Sequence, residues 1–326
     1  MSDFLRYAMS IAGIQTLGVP MSIDVAREAD RLGYRSAWAA EANAAEAFSL
    51  LGAIGASTER IGLGTGVVAL QLRTPPLAAM AAATLQQLVP DRDVFLGIGI
   101  SSPAVARQWH GAAYSDRPIA QVREYVSLVR QCLSGESVTF EGDFYRVSRF
   151  RLGLRLGERT PKIVVAALNE QMLRLGGAIA DGVLLNYLPA SAVPWCVEQI
   201  RKGGDATVYA FVHCGVTDRD RYADLARKDL LNYAVVDAYA NQFTRAGYGD
   251  DVAAFRDRWS QRDRDGALAA IGDRWVDEVQ IMGDAAHVRA AVDAYADGGV
   301  DVPIVFALPW GEDRRATISA TLQALA

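Results

Sequence analysis

Cysteine is scarce in this chain: three residues, at 132, 196 and 214, with no CxxC or CxH spacing. That excludes a zinc or disulfide framework and reads as small buried side chains in a reducing compartment. Positive charge is also short. Lysine and arginine total 33 against 38 acidic residues, and the net charge of −5 with no long basic run argues against a nucleic-acid partner. Local pairs such as Arg149 and Arg151 read as solvated loop charges. No apolar run reaches the length of a membrane span. The opening Met-Ser-Asp-Phe-Leu-Arg lacks the basic-then-apolar order of a secretory signal, so a mature, cytoplasmic chain is expected. Nor is there a GxSxG elbow, an HExxH helix, a carboxylate spacing that speaks for glycoside hydrolysis, or a linker rich in Pro, Gly or Ser. No metal site is expected. With 51% hydrophobic and 22% charged residues, 326 residues can bury a large core.

What the chain does have is glycine at strand spacing. Glycines 62, 64 and 66 in Ile61-Gly-Leu-Gly-Thr-Gly-Val67, and 97 and 99 in Val94-Phe-Leu-Gly-Ile-Gly-Ile-Ser-Ser-Pro103, recur with period two. Each set strips one sheet face of side chains, leaving room there for a flat or bulky group. Ser101-Ser102-Pro103 offers a capping hydroxyl and then proline at a helix start. Amide donors emerging there suit an anion such as phosphate; the plainer reading is a simple cap.

Strands and helices alternate along the chain. Strands are predicted at 7–12, 35–39, 61–67, 94–98, 162–166, 182–186, 207–214 and 302–306, with helices at 22–32, 44–57, 75–88, 117–133, 169–179, 191–202, 285–295 and from 313 onward. A hairpin near 138–147 and a largely helical, charge-rich segment near 219–280 read as insertions. A Rossmann domain would place GxGxxG straight after the first strand, and 7–20 has none. The pattern therefore favours one (β/α)₈ TIM barrel of the α/β class, a single domain over 1–326, with its chemistry at the carboxyl ends of the strands.

The ordered set Gly64-Thr-Gly-Val67 with Arg73-Thr-Pro-Pro, Phe95 to Pro103 with Gln108-Trp-His-Gly111, Val164 to Asn169 with Ala180-Asp-Gly182, and Gly283-Asp with Val288-Arg and Gly299-Val-Asp-Val-Pro303 spans almost the whole chain. It resembles the luciferase-like monooxygenase superfamily and, within it, the oxidoreductases that use the deazaflavin coenzyme F420. The resemblance implies a cofactor across the barrel mouth and a non-proline cis peptide after the third strand, here Gly66–Val67. It also implies cofactor contacts from Ala12, Glu41, Gly66, Val67, Val68, Ile100, Ser101, Ser102, Ala167, Leu168 and Asn169, with the phosphate on Ile100 to Ser102. In the sugar-phosphate dehydrogenases of this family an Asp-His pair ends the second strand and a glutamate follows the fourth. Here Glu41-Ala42 and Ser102 stand there, which puts that substrate in doubt.

Glu41, His110, Tyr187 and His213 are the candidate catalytic residues, with Asn186 beside Tyr187 at a strand end. Glu41 would act as a cofactor contact, or as a proton donor if burial raises its pKa. His287 reads as surface, Trp38 and Phe95 as core, and Glu46 as a cap charge. Three functions follow: hydride transfer between F420 and a small-molecule substrate bearing C=C, C=N or C=O, in either direction; an FMN-dependent monooxygenase on the same fold; and a non-catalytic flavin-binding homologue. A homodimer contact through the exposed face of 219–280 is a further expectation from the resemblance.

Overall fold

Alternate residues of eight parallel strands meet in one interior, and the strands close on themselves. The computed structural model describes residues 4–326, with β1 at Ala8–Ser10, β2 at Ser36–Ala39, β3 at Gly62–Thr65 and β4 at Val94–Gly99. Next come β5 at Lys162–Ala166, β6 at Gly182–Leu185, β7 at Thr207–Val216 and β8 at Val302–Ala307. Every neighbour pairs in parallel, and β8 returns to β1. This is the expected (β/α)₈ barrel.

The glycine spacing has a different use from the one its pattern suggests. Ala8, Trp38, Phe95, Val164, Leu184, Tyr209, Phe211, Val302 and Ile304 fill the barrel interior, with Trp38 stacked on Phe95 at 5.0 Å. A Cβ on Gly64 would lie 2.7 Å from the Trp38 indole, and one on Gly66 2.7 Å from Phe211. The carbonyl of Thr65 crowds Gly97, and Val67 lies 2.9 Å from where a Gly99 Cβ would sit. The stripped face is therefore taken by the protein's own aromatics and neighbouring backbone, because a strand of glycines is what lets an indole lie across it.

Eight helices surround the barrel and seal the larger core. Val19–Leu32 begins with proline in its first turn and ends on Gly33 at φ +89°, a left-handed cap. Pro75–Leu88 and Lys162–Ala166 match the sequence expectation at both ends. The hairpin pairs Val138–Glu141 with Arg146–Phe150. The helical insertion builds a second core of its own around Phe243, Tyr248, Phe255 and Trp275.

One local expectation is corrected, and one strand is added. The stretch after Ser101-Ser102-Pro103 is a six-residue π-helical turn, Ala104–Trp109, rather than a regular helix, so the dipole invoked for an anion there is small; Ser102 Oγ still accepts from Val105 N–H at 3.3 Å. A short strand at Ile281–Gly283, too brief to show periodicity, extends the sheet beside Cys214–Val216. The three cysteines are free and buried, as expected.

One helix carboxylate fixes the start of β3. Asp30, 8% exposed, accepts from the amides of Glu59, Arg60 and Ile61 at 2.8, 3.1 and 2.8 Å. Removing it orphans three part-buried donors, so Asp30→Ala should lower the urea-unfolding free energy by roughly 2–4 kcal/mol. The exposed Asp24→Ala should change it by less than about 0.5 kcal/mol in the same titration.

Candidate active site at the carboxyl ends of the strands

The upper interior layer is uneven. On the β3–β5 side it is small: Gly66, Gly99 and Ala166, with Val67 lying across Gly99. On the β6–β8 side it carries Asn186, His213 and Phe306. The Gly66–Val67 peptide is cis, as the resemblance implies, and Gly66 N–H donates to Ala39 C=O at 2.8 Å. Val68 is fully buried and belongs to the larger core cluster with Leu70 and Ile98. The two-residue strand Val68–Ala69 pairs there with Ile98 and Gly99.

His213 is the most enclosed of the candidates. Its Nε2 lies 2.9 Å from Asn186 Oδ1, while Asn186 Nδ2 donates to the Tyr239 hydroxyl at 3.3 Å. An amide oxygen only accepts, so the proton sits on Nε2 and Nδ1 holds a lone pair. That Nδ1 is buried with no partner. Phe306 stacks on the ring at 4.2 Å and Tyr187 leans on it at 4.0 Å. Burial drives the imidazole pKa down to about 3.

Tyr187 is committed elsewhere. At φ +50° it directs its hydroxyl to Asp229 Oδ2 at 2.7 Å, and Gln280 Nε2 donates to the same oxygen at 2.5 Å. Burial raises the pKa of Asp229 despite both donors, and burial followed by the neighbouring Tyr233 and Asp229 raises that of Tyr187. Gln242 Nε2 clasps the carbonyls of Asn186 and Tyr187 at 2.9 and 2.6 Å. The insertion thus holds the end of β6 through three side chains, Asp229, Tyr239 and Gln242, with Gln280 behind Asp229, and local sequence could single out none of them.

Across the mouth, Arg73 grips both oxygens of Glu41 at 3.2 and 3.0 Å and also pairs with Glu46. Burial opposes the charge on Arg73, but the two carboxylates outweigh it and raise its pKa. Both Glu41 oxygens therefore accept from one guanidinium. Glu46 caps the next helix through Phe48 and Ser49 N–H, as its sequence position suggests. Gln15, which sequence reasoning missed, donates to Ala40 and Ala45 carbonyls and shapes the same loop. His110 is exposed and donates from Nε2 to Ala42 C=O at 2.6 Å, tying the π turn to the Glu41 loop.

The remaining candidates line the rim between these two sides. Ile100, Ser101 and Ser102 are half-buried, and Ser101 N–H donates to Gln71 at 3.3 Å. Ala12 N–H turns back to Ser10 Oγ at 3.2 Å. Ala167 is buried, with its N–H on Leu184 C=O. Asn169 begins a helix without capping it: Nδ2 donates to Ala238 C=O at 3.1 Å, and Arg245 bridges Leu168 C=O and Asn169 Oδ1.

A closed parallel barrel with polar groups gathered at its carboxyl mouth defines a TIM-barrel enzyme scaffold. More particularly, this chain belongs to the luciferase-like monooxygenase family, whose sequence model matches residues 15–302. It is 31% identical over 308 residues, 86% of this chain and 88% of the other, to a Mycobacterium tuberculosis protein named as a coenzyme F420-dependent oxidoreductase. It is 26% identical to the 5,10-methylenetetrahydromethanopterin reductase of Archaeoglobus fulgidus, over 83% of this chain and 84% of that one. Its fold superposes with a TM-score of 0.79, at 19% identity and 98% coverage of each chain, on the coenzyme F420-dependent tetrahydromethanopterin reductase of Methanopyrus kandleri.

The buried imidazole has a pH signature. Its folded pKa of about 3 lies below the ordinary value of 6.5, so the folded state binds the proton less well than the unfolded chain. Its contribution is complete above pH 6.5 and is lost as pH falls toward 3. Urea unfolding between these limits should show wild type losing about 1.4 kcal/mol per pH unit more than His213→Gln. Parallel stability profiles for the two proteins would refute the neutral buried state.

Proposed function

We propose that this chain is an oxidoreductase that transfers hydride between coenzyme F420 and a small organic substrate at a C=C, C=N or C=O bond. The observation that carries the reading is the neutral His213 at the carboxyl end of the barrel, whose buried Nδ1 holds a lone pair with no partner. A flat ring could lie against such a group, and the Mycobacterium tuberculosis relative named for F420 suggests the class of ring. The donor set fits as well. The hydroxyls of Ser101 and Ser102 are half-buried at the mouth and can each donate to a phosphate.

In this reading Gly66 and Val67 support the ring, Ile100 to Ser102 hold the phosphate, and Ala12, Ala167, Leu168 and Asn169 form the walls. When bound, F420 supplies or accepts the hydride. Glu41, fixed by Arg73, faces the cofactor as a charged positioning group. Asn186 keeps the His213 proton on Nε2, so that side of the ring orients rather than ionises. Tyr187, with its hydroxyl on Asp229, acts as a positioning residue, and His110 steadies the Ala42 loop. Ala42 and Ser102 stand where the sugar-phosphate dehydrogenases of the resemblance carry histidine and glutamate, which turns the proposal away from that substrate.

Titrating the apoprotein with F420 and with FMN, followed by fluorescence, tests the cofactor. F420 should bind and FMN should not; tight FMN binding without F420 binding overturns the reading. Ser101→Glu, which sets a carboxylate beside the phosphate, should weaken F420 by at least about tenfold, or 1.4 kcal/mol. It should leave the affinity of the deazaflavin chromophore lacking phosphate unchanged.

A further inference from the structure

A cleft of about 310 Å³ lies at the end of the barrel opposite the mouth, where the Pro75–Leu88 helix turns toward β4 and the loop after the hairpin leads into β5. Its walls include Gln86, Gln87, Pro90, Arg155, Leu156 and Arg159. The volume is at the low end of the range of about 300–1,000 Å³ that small-molecule sites occupy. None of the residues assigned to the cofactor lines it.

Gln86 brings an unmet acceptor to this cleft. The side chain is 3% exposed, and its Nε2 donates to the carbonyls of Val89 and Arg92 at 3.2 and 2.9 Å. Those two bonds fix the amide, so the other terminal atom is Oε1, which accepts and never donates. That oxygen is buried with no partner. Buried polar groups are nearly always satisfied, and a bare acceptor keeps a demand for an N–H or O–H group. Gln87 Nε2, on the same wall, is already taken by Arg155 C=O at 2.9 Å.

Charge adds a second requirement. Between positions 144 and 162 six basic residues stand against one acidic residue, Glu158, in a chain whose net charge is −5. Arg159 and Lys162 share Asp93, at 2.6 and 3.2 Å. Arg155 is exposed and pairs with no carboxylate among the described residues. With its carbonyl pinned by Gln87, its planar and permanently charged guanidinium is free to take one.

We propose that this cleft binds a small hydroxycarboxylate, with the carboxylate on the Arg155 guanidinium and the hydroxyl donating to Gln86 Oε1. The two contacts select together. A plain carboxylate leaves Oε1 bare, and a neutral alcohol leaves Arg155 unpaired. An ammonium group in place of the hydroxyl would enter a segment already rich in positive charge. The site is independent of the proposed hydride transfer and stands at the far end of the strands from it.

Isothermal titration calorimetry of the full chain with L-malate and with succinate tests the assignment, because the two dianions differ only in one hydroxyl. L-Malate should bind saturably, one per chain, and succinate at least about tenfold more weakly. The pair of acids reads Gln86 without replacing it, since Gln86→Leu would also free the Val89 and Arg92 carbonyls. Arg155→Ala, at an exposed side chain, should weaken L-malate by at least about tenfold. Leu156→Trp should abolish binding by filling the cleft, and both variants should keep the wild-type circular dichroism spectrum. Equal affinity for the two acids, L-malate binding that survives either variant, or no saturable binding up to the millimolar range would overturn the proposal.

Discussion

The fit of one indole against one strand governs the architecture of the mouth. Trp38 lies across Gly64, stacks on Phe95 and leans on Tyr209 at 5.3 Å, so the barrel interior beneath the strand ends is solid. Burying so large a ring is among the more favourable single contributions a core can make. It is available only because β3 contributes glycines to that side. A side chain at position 64 would expel the indole, and the layer above, where Phe211 closes against Gly66, would lose its support. The floor on which a ligand would rest is thus set by packing one layer below it.

The opposite side of the mouth is held from outside the barrel. Gln242, Tyr239 and Asp229, the last held by Gln280, reach from the insertion to the end of β6 and fix Asn186 and Tyr187, and through Asn186 the proton of His213. A buried hydrogen-bond chain of this kind holds a defined arrangement because each broken link leaves a polar atom unsatisfied. The two sides therefore differ in kind: one is shaped by packing, the other by directed polar contacts.

The sequence displayed the repeating units plainly. All eight barrel strands were legible: β-branched runs mark Lys162–Ala166, Thr207–Val216 and Val302–Ala307, while Ala8–Ser10, Ser36–Ala39 and Gly62–Thr65 show through their regular alternation with helices, and Pro75–Leu88 was bounded by its own proline and the following turn. Position at a strand end was enough to bring Glu41, Asn186, Tyr187 and His213 to one end of the barrel. What local pattern cannot carry is partnership. Arg73 on Glu41, 32 residues away, and Asp229 under Tyr187, 42 away, are products of closure. The spacing of glycines 62 to 99 showed that room exists without showing that Trp38 and Thr65 occupy it. The short strand at Ile281–Gly283 depends likewise on a neighbour supplied by the fold.

The insertion packs around Phe243, Phe255 and Trp275, residues that take no part in the barrel's own core, yet it touches the mouth through a few side chains. Such a separately consolidated cap is a natural place for evolutionary drift. Replacements inside it can tilt the clasp on Asn186 and Tyr187 while the (β/α)₈ frame keeps its stability.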